Sequence, residues 1–411
     1  MRKILTLLAM MALAGCGGGG GGTTSTPAPP APPNAPQGDL VTPQFTFTFG
    51  KSGSSTARTP QYIDATNTKS VTITLISTNG VPTTVTNPSV SSNVTPPCTP
   101  CTVPGPPSPP GTDRYSVTTF DNTNGTGNAL SVATKDFTIT AGSANTGLTI
   151  TLFGIVKSFS IGAPAAPNAG TTPADATLTV SALNAAGGTI TGTYGDNSTG
   201  AAYITGGGLN GTPVTVTINE TDANGATLVA SGGATQNSTT SVTLHNDTDV
   251  VKLHYAGLAE NQKTITAAAT GATNGTANFQ PTLQAISPSS GTEIDLYVDS
   301  TTGGTGSSGT QNFTEAGFTG SPYNQLFNVT FSPTSGFATP CTQIATVSQG
   351  TGSNGGKLTA TAPAAATPPA AGSCDLTIND GLTQGGHTST AVTVVTYTTS
   401  SVGASSKKRH Q

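Results

Sequence analysis

The chain has 411 residues, of which 14 are Lys or Arg and 18 are Asp or Glu. Only 8% of its residues are charged, against about 25% in an average domain. The acidic balance excludes the basic face of a nucleic-acid binder, and the shortage of Glu, Lys and Arg excludes long helices and coiled coils. Length alone suggests two to three domains, and the repeated apolar runs of about 20 residues that mark a multi-span membrane protein are absent. The content of 52 Gly and 30 Pro does not by itself make a disordered chain, because Val, Ile, Leu and Phe are patterned.

Arg2-Lys3 forms a positive start, and Ile4 to Ala12 is an apolar stretch too short to span a bilayer. Leu13-Ala14-Gly15-Cys16 follows at the spacing of a processing site. This segment resembles the bacterial lipobox. The resemblance implies a signal peptide over residues 1–15 and a diacylglycerol thioether on Cys16. It also implies cleavage before that Cys, acylation of the new amino terminus and a membrane partner through the anchor. A second acyl chain matters because one chain alone gives marginal attachment, at about 0.8 kcal/mol per buried CH₂. Gly17 stands where an Asp marks inner-membrane retention in diderm bacteria. The implied address is therefore the outer membrane or cell surface of such a host.

Residues 16–38 carry six glycines, Gly17 to Gly22, and then a Pro/Ala/Thr-rich run from Thr23 to Pro36. No core forms from this composition, and it reads as a disordered tether. Its glycine part is a flexible coil, and its proline part extends by about 3.1 Å per residue.

Beyond residue 39 the chain alternates apolar residues with Thr. Phe45-Thr-Phe47-Thr-Phe49, Val71-Thr-Ile73-Thr-Leu75, Leu148-Thr-Ile150-Thr-Leu152, Val214-Thr-Val216-Thr-Ile218 and Val392-Thr-Val394 are the clearest runs. Period 2 predicts half-buried antiparallel strands, and Thr suits their outer face because it is both β-branched and polar. Asn79-Gly80, Asn124-Gly125, Asn224-Gly225, Asn274-Gly275 and Asp380-Gly381 supply the turns. Three units of similar length follow, over 39–157, 158–282 and 283–400, with a basic disordered tail at 401–411 that contains Lys407-Lys408-Arg409. Val117 to Phe120 before Asn124-Gly125 echoes Val216 to Ile218 before Asn224-Gly225, and Leu376 to Ile378 before Asp380-Gly381. The pattern resembles tandem bacterial immunoglobulin-like domains. The resemblance implies an all-β chain of tandem immunoglobulin-like β-sandwiches. The absence of Trp sets it apart from antibody domains.

With Cys16 assigned to lipid, Cys98, Cys101, Cys341 and Cys374 remain. An exported chain with an even number of cysteines predicts two disulfides, Cys98–Cys101 and Cys341–Cys374. Cys98-Thr-Pro-Cys101 also matches a redox CxxC. Such a site needs a helix N-terminus to lower the thiol pKa, and the surrounding prolines forbid that helix.

Other chemistry is thin. His245, Asp247 and Asp249, with His254 beyond, resemble a metal cluster in composition only. Val242 to His245 and Val250 to Tyr255 read as one hairpin around the turn Asn246 to Asp249, and the two histidines should not converge. Asp121 to Gly127 lacks the acidic spacing of a calcium loop and reads as a turn. Glu293, Asp295, Tyr297 and Asp299 alternate with Ile294, Leu296 and Val298, so they should face outward as a solvated acidic face, with an acidic contact strip as the alternative. Tyr203, Tyr297 and Tyr323 are the candidate aromatics for a glycan-binding face. No catalytic residue, metal site or cofactor is expected. The function read from these features is a non-catalytic, lipid-anchored envelope protein with a protein or glycan partner. Its sandwiches would mediate surface adhesion or contact. A periplasm-facing assembly component and a carbohydrate-binding accessory protein are the alternatives.

Overall fold

Alternating Thr and apolar residues set one face of a strand in a core and the other toward water. In the computed structural model Val71, Ile73 and Leu75 are buried while Thr72 and Thr74, between them, are half-buried. The outward hydroxyls pair across strands, Thr72 with Ser91 at 2.8 Å and Thr74 with Ser89 at 2.9 Å. Hydroxyl pairs thus hold a surface that ion pairs would hold in a charged protein. The structure describes residues 39–47, 64, 66–96, 98, 101–192, 194–195, 204–205, 208–209, 214–221, 224–288, 292–299, 306–336, 340–351, 354–363, 372–383 and 385–399. For residues 195, 204–205, 208–209, 292, 297–299 and 389–399 it describes the backbone alone. Cys16, the tether and the basic tail lie outside the described residues.

The first unit contains β1 (Gln44–Phe47), β2 (Ser70–Thr78), β3 (Val81–Pro82), β4 (Ser89–Asn93), β5 (Cys101–Pro104), β6 (Gly111–Phe120), β7 (Ala129–Ile139), β8 (Leu148–Thr149) and β9 (Phe153–Ile155). Its large sheet runs β9-β7-β6-β2-β3, with β4 also on β2, and its small sheet runs β5-β1-β8. Phe45, Phe47 and Val103 from the small sheet meet Ile73, Tyr115 and Phe137 from the large one in a single core. Phe45 packs edge-on to Tyr115 and Phe137, with centroids 5.1 and 5.5 Å away. Asn79 and Gly80 take φ of 48° and 79° between the paired Thr78 and Val81. That is the left-handed pair a two-residue hairpin needs.

The second unit contains β10 (Ser158–Gly162), β11 (Ala174–Thr177), β12 (Thr179–Leu183), β13 (Tyr194–Gly195), β14 (Ile204–Thr205), β15 (Gly208–Leu209), β16 (Val214–Ile218), β17 (Thr227–Ser231), β18 (Thr235–Ser238), β19 (Ser241–Leu244), β20 (Val250–Tyr255), β21 (Lys263–Ala268) and β22 (Gly275–Phe279). One sheet runs β18-β19-β16-β21-β22 and another β11-β20-β17, with β10-β12 beside them. The expected hairpin of Val242 to His245 with Val250 to Tyr255 does not form. β19 pairs with β16 and β18, whereas β20 pairs with β11 and β17. Both strands carry apolar faces into the same core, and placing them in different sheets buries both faces. Asn274-Gly275 is not a turn either. Gly275 opens β22 opposite Ala267, and the chain reverses at Ala269–Ala272, where Gly271 has φ 73°.

The third unit contains β23 (Thr292–Asp299), β24 (Ser308–Asn312), β25 (Asn328–Pro333), β26 (Thr346–Gln349), β27 (Lys357–Thr361), β28 (Gly372–Asn379) and β29 (Thr388–Thr399). Its sheets run β23-β29-β28-β25 and β24-β27-β26. Leu296, Leu358, Ala360, Leu376 and Ile378 pack between them. Cys341, in a short 3₁₀ turn, is bonded to Cys374 on β28, with Cα atoms 5.9 Å apart. Closing a loop of that span stabilises by about 3–4 kcal/mol. Cys98 and Cys101 form the other disulfide, with Cα atoms 5.1 Å apart.

The chain is all-β, built of tandem β-sandwiches. Pairing is not purely antiparallel as period 2 suggests. β1 with β8, β9 with β13, and β23 with β29 are parallel. Each joins strands far apart in the chain, where no tight turn imposes an antiparallel return. Among the described residues no helix is long and apolar enough to cross a membrane.

The units interlock. β13 of the second extends the first unit's large sheet through β9. Asp64 of the first accepts a hydrogen bond from Asn184 of the second. Between the second and third, the Ala259 amide donates to the Gly317 carbonyl at 2.8 Å, and the Thr383 amide donates to Asn261 Oδ1 at 2.7 Å. Gly317, at φ 77°, sits so close to Gly257, Gly170 and Ala259 that a Cβ would meet backbone at 2.5–2.8 Å. This approach requires glycine.

Candidate functional site

A buried group of chemically active side chains lies at that second junction. Glu315 follows β24, Asp380 follows β28 directly, and His387 directly precedes β29. One ligand atom from each lies within 4.8 Å of the others. Two loops bring them together. The Phe318 and Thr319 amides donate to the Glu315 carbonyl at 3.1 and 3.2 Å, and the Glu315 amide donates to Thr319 Oγ1 at 2.9 Å. Phe318 anchors this turn by stacking on Phe327, with centroids 5.1 Å apart. In the second loop Asp380 organises the backbone. Its Oδ1 accepts from the Leu382 amide at 2.9 Å and its Oδ2 from the His387 amide at 2.7 Å.

Glu315 is 1% exposed, and neither of its carboxyl oxygens has a hydrogen-bond partner among the described residues. Burial pushes its carboxyl up to about 8, and the charge of Asp380 and the hydrogen bond that a protonated Glu315 makes to it add to the shift. The Asp380 side chain is fully buried, and His387 Nδ1 lies 3.9 Å from its Oδ2. That nitrogen is buried and also without a hydrogen-bond partner, although a third of the imidazole is exposed. Two carboxylates and an imidazole make a donor set for a divalent cation. At 3.9 Å the Asp380 and His387 side chains make no direct hydrogen bond.

A second buried group lies in the second unit. Lys263 Nζ donates to Glu220 Oε1 at 2.6 Å and lies 3.8 Å from Glu260 Oε2. All three side chains are nearly fully buried. Burial, and then the charge of Glu220, pushes the Glu260 carboxyl up.

The residues singled out from the sequence lie elsewhere. Glu293 and Asp295 are exposed on β23, at the edge of its sheet, with Ile294 buried between them and Leu296 buried beyond Asp295. The side chains of Tyr297 and Asp299 lie outside the described residues. So does Tyr203. Tyr323 is half-buried, with its hydroxyl over Gly257 at the junction, so it is not a free aromatic platform. His254 Nδ1 lies 2.7 Å from Asp175 Oδ1, whereas His245 is near Thr235, in the other sheet. Asp249 Oδ2 accepts from the His245 and Asn246 amides, which uses it as a turn residue. Asp121 likewise accepts from the amide and side chain of Asn128.

In the sequence Asp380 reads only as a turn residue, and neither Glu315 nor His387 stands out beside it, because Glu315 is so distant from the other two. The available signal was short-range: an Asp and a His bracketing one hairpin loop in a chain with only four histidines.

No protein-family model and no curated protein matches this chain. Solved structures with some likeness include a Parabacteroides merdae β-glucuronidase at 9% identity and a TM-score of 0.20. That match covers 52% of this chain and 21% of the glucuronidase, so this chain corresponds to about a fifth of its length. Domains 5–6 of the S-layer protein SbsC match at 15% identity and a TM-score of 0.18, covering 59% of this chain and 98% of that one. The Ig1-2 module of the Drosophila receptor protein tyrosine phosphatase DLAR matches at 8% identity and 0.17, covering 59% and 99%. At these TM-scores the likenesses carry no argument about this chain.

Proposed function

We propose that this chain is a non-catalytic envelope lipoprotein whose interlocked β-sandwiches form a stalk for contact at the cell surface. The observation that carries the reading is the order of its first 38 residues. A charged start and short apolar run lead to Leu13-Ala14-Gly15-Cys16, and a Gly/Pro-rich spacer follows. A lipid on Cys16 anchors the chain, and the spacer carries the folded part away from the bilayer. Two features of the folded part support this use. The disulfides suit an oxidising compartment outside the cytoplasm. The bonded junctions resist independent movement of neighbouring units. Glu293 and Asp295 on the edge strand β23, with Tyr297 and Asp299 in sequence, are the contact strip of this reading.

A second reading is an envelope assembly component that pairs through sheet edges. The favouring observation is β18, Thr-Gln-Asn-Ser, an exposed edge strand with no charge to block an incoming strand.

Protease shaving of intact cells, with Cys16→Ala as the control, separates the two. Digestion of the sandwiches while periplasmic markers survive is the result expected of an outward-facing stalk. Survival until the outer layer is permeabilised refutes it and leaves the inward-facing reading.

A further inference from the structure

We infer that Glu315, Asp380 and His387 bind one divalent cation of the zinc class and that this cation locks the third unit onto the second. The first ground is Glu315 itself. A carboxyl group buried to 1%, with both oxygens unpartnered, stands uncompensated in a core unless something positive or a proton meets it. The second ground is independent of the carboxylates. His387 turns a buried, unpartnered Nδ1 toward the same point, and all three donors fall within 4.8 Å. Asp380 spends one hydrogen bond per oxygen on the Leu382 and His387 amides and keeps further acceptor capacity on each. Those backbone bonds are the outer shell that orients a metal ligand.

The donor set selects the cation. An imidazole with two carboxylates suits zinc or a similar transition ion, whereas calcium and magnesium prefer oxygen alone. Bonds of about 2.0–2.2 Å bring neighbouring donors to roughly 3.3 Å in a tetrahedral site. The 3.9 Å between His387 and Asp380 therefore closes by a few tenths of an ångström on binding. The exposed part of the imidazole leaves a side for water as the fourth ligand.

The placement defines the consequence. The Glu315 loop carries Gly317, which is bonded to Ala259, and the Asp380–His387 loop carries Thr383, which is bonded to Asn261. A cation joining the two loops couples both contacts with the second unit.

The test is calorimetric titration of the full-length chain with ZnCl₂ after chelation, with CaCl₂ and MgCl₂ in parallel, alongside hydrogen exchange at Phe318–Gly320 and Leu382–Thr383. The expected result is one Zn²⁺ per chain, slowed exchange in both loops, and affinity more than about tenfold weaker in Glu315→Gln and in His387→Gln. Glu315→Gln keeps the shape and leaves a neutral group that can still hydrogen-bond to Asp380, so the metal-free variant should melt no lower than the metal-free parent. Four outcomes overturn the inference: no Zn²⁺ uptake, equal affinity in both variants, unchanged exchange, or calcium or magnesium binding as tight as zinc. No uptake would leave a proton shared between Glu315 and Asp380 as the compensation for their charge.

Discussion

Asp64 Oδ2 accepts a hydrogen bond from Asn184 Nδ2 at 2.8 Å, across 120 positions of sequence and the junction of the first two units. Each partner also holds its own turn. Asp64 Oδ1 accepts from the Thr66 and Asn67 amides, and Asn184 Oδ1 from the Ala186 and Gly188 amides. The bond therefore fastens two ordered turns to each other.

Removing either end should loosen that junction. Asp64→Ala removes one acceptor of the buried Asn184 amide and the cap of the Thr66–Asn67 turn, and a cost of about 1–3 kcal/mol is expected. Asn184→Ala should cost a similar amount, and the double variant should cost less than the sum of the two. Burial raises the Asp64 carboxyl, but the hydrogen bonds from Asn67, Asn184 and Thr66 outweigh it and hold the group below 3.8. Its contribution is therefore present above pH 3.8 and is lost as pH falls through the folded value. Calorimetric melting of the three variants at neutral and acid pH measures both effects, and additive losses would remove the coupling.

The buried Asp113 predicts the opposite pH slope. Burial pushes its carboxyl from 3.8 up to about 6, against a hydrogen bond from Tyr115 that lowers it. Tyr115 gives its shorter bond, 2.6 Å, to Ser108 and lies 3.5 Å from Asp113. A raised acid favours the folded state while both states are protonated. That advantage is lost as pH rises from 3.8 to about 6, by at most about 3 kcal/mol. Asp113→Asn should flatten this part of the stability curve. An unchanged curve in the variant would show that other groups set the slope.

In the second unit the Glu220–Lys263–Glu260 group should tolerate loss of one acid better than loss of the base. Lys263→Met leaves two buried carboxyl groups without their cation, and about 3–5 kcal/mol of destabilisation is expected. Glu260→Gln removes the like-charge contact with Glu220 and keeps the Lys263–Glu220 bond, so it should be neutral or stabilising. Denaturant midpoints of the two variants decide the matter. Equal losses would mean that packing, and not charge, holds the group.

Much of this protein is local in origin and was legible without a structure. Strand faces follow from residues two apart, so Val71, Ile73 and Leu75 on β2 and Val214, Val216 and Ile218 on β16 could be assigned to cores from their Thr neighbours alone. Asn79-Gly80 marks its own turn because both residues tolerate positive φ. The even number of cysteines beyond Cys16 points to two disulfides, and Cys341 with Cys374 is one of the two pairs expected and is formed. Tertiary structure decided what depends on which sheet a strand joins. It sent β19 and β20 to different sheets although only five residues, His245 to Asp249, separate Leu244 from Val250. It paired β23 in parallel with β29, and it gathered Glu315, Asp380 and His387 at one point. Alternation records only that a face is buried, not against which partner. Loop residues such as Glu315 acquire neighbours only when two sheets close over a shared core.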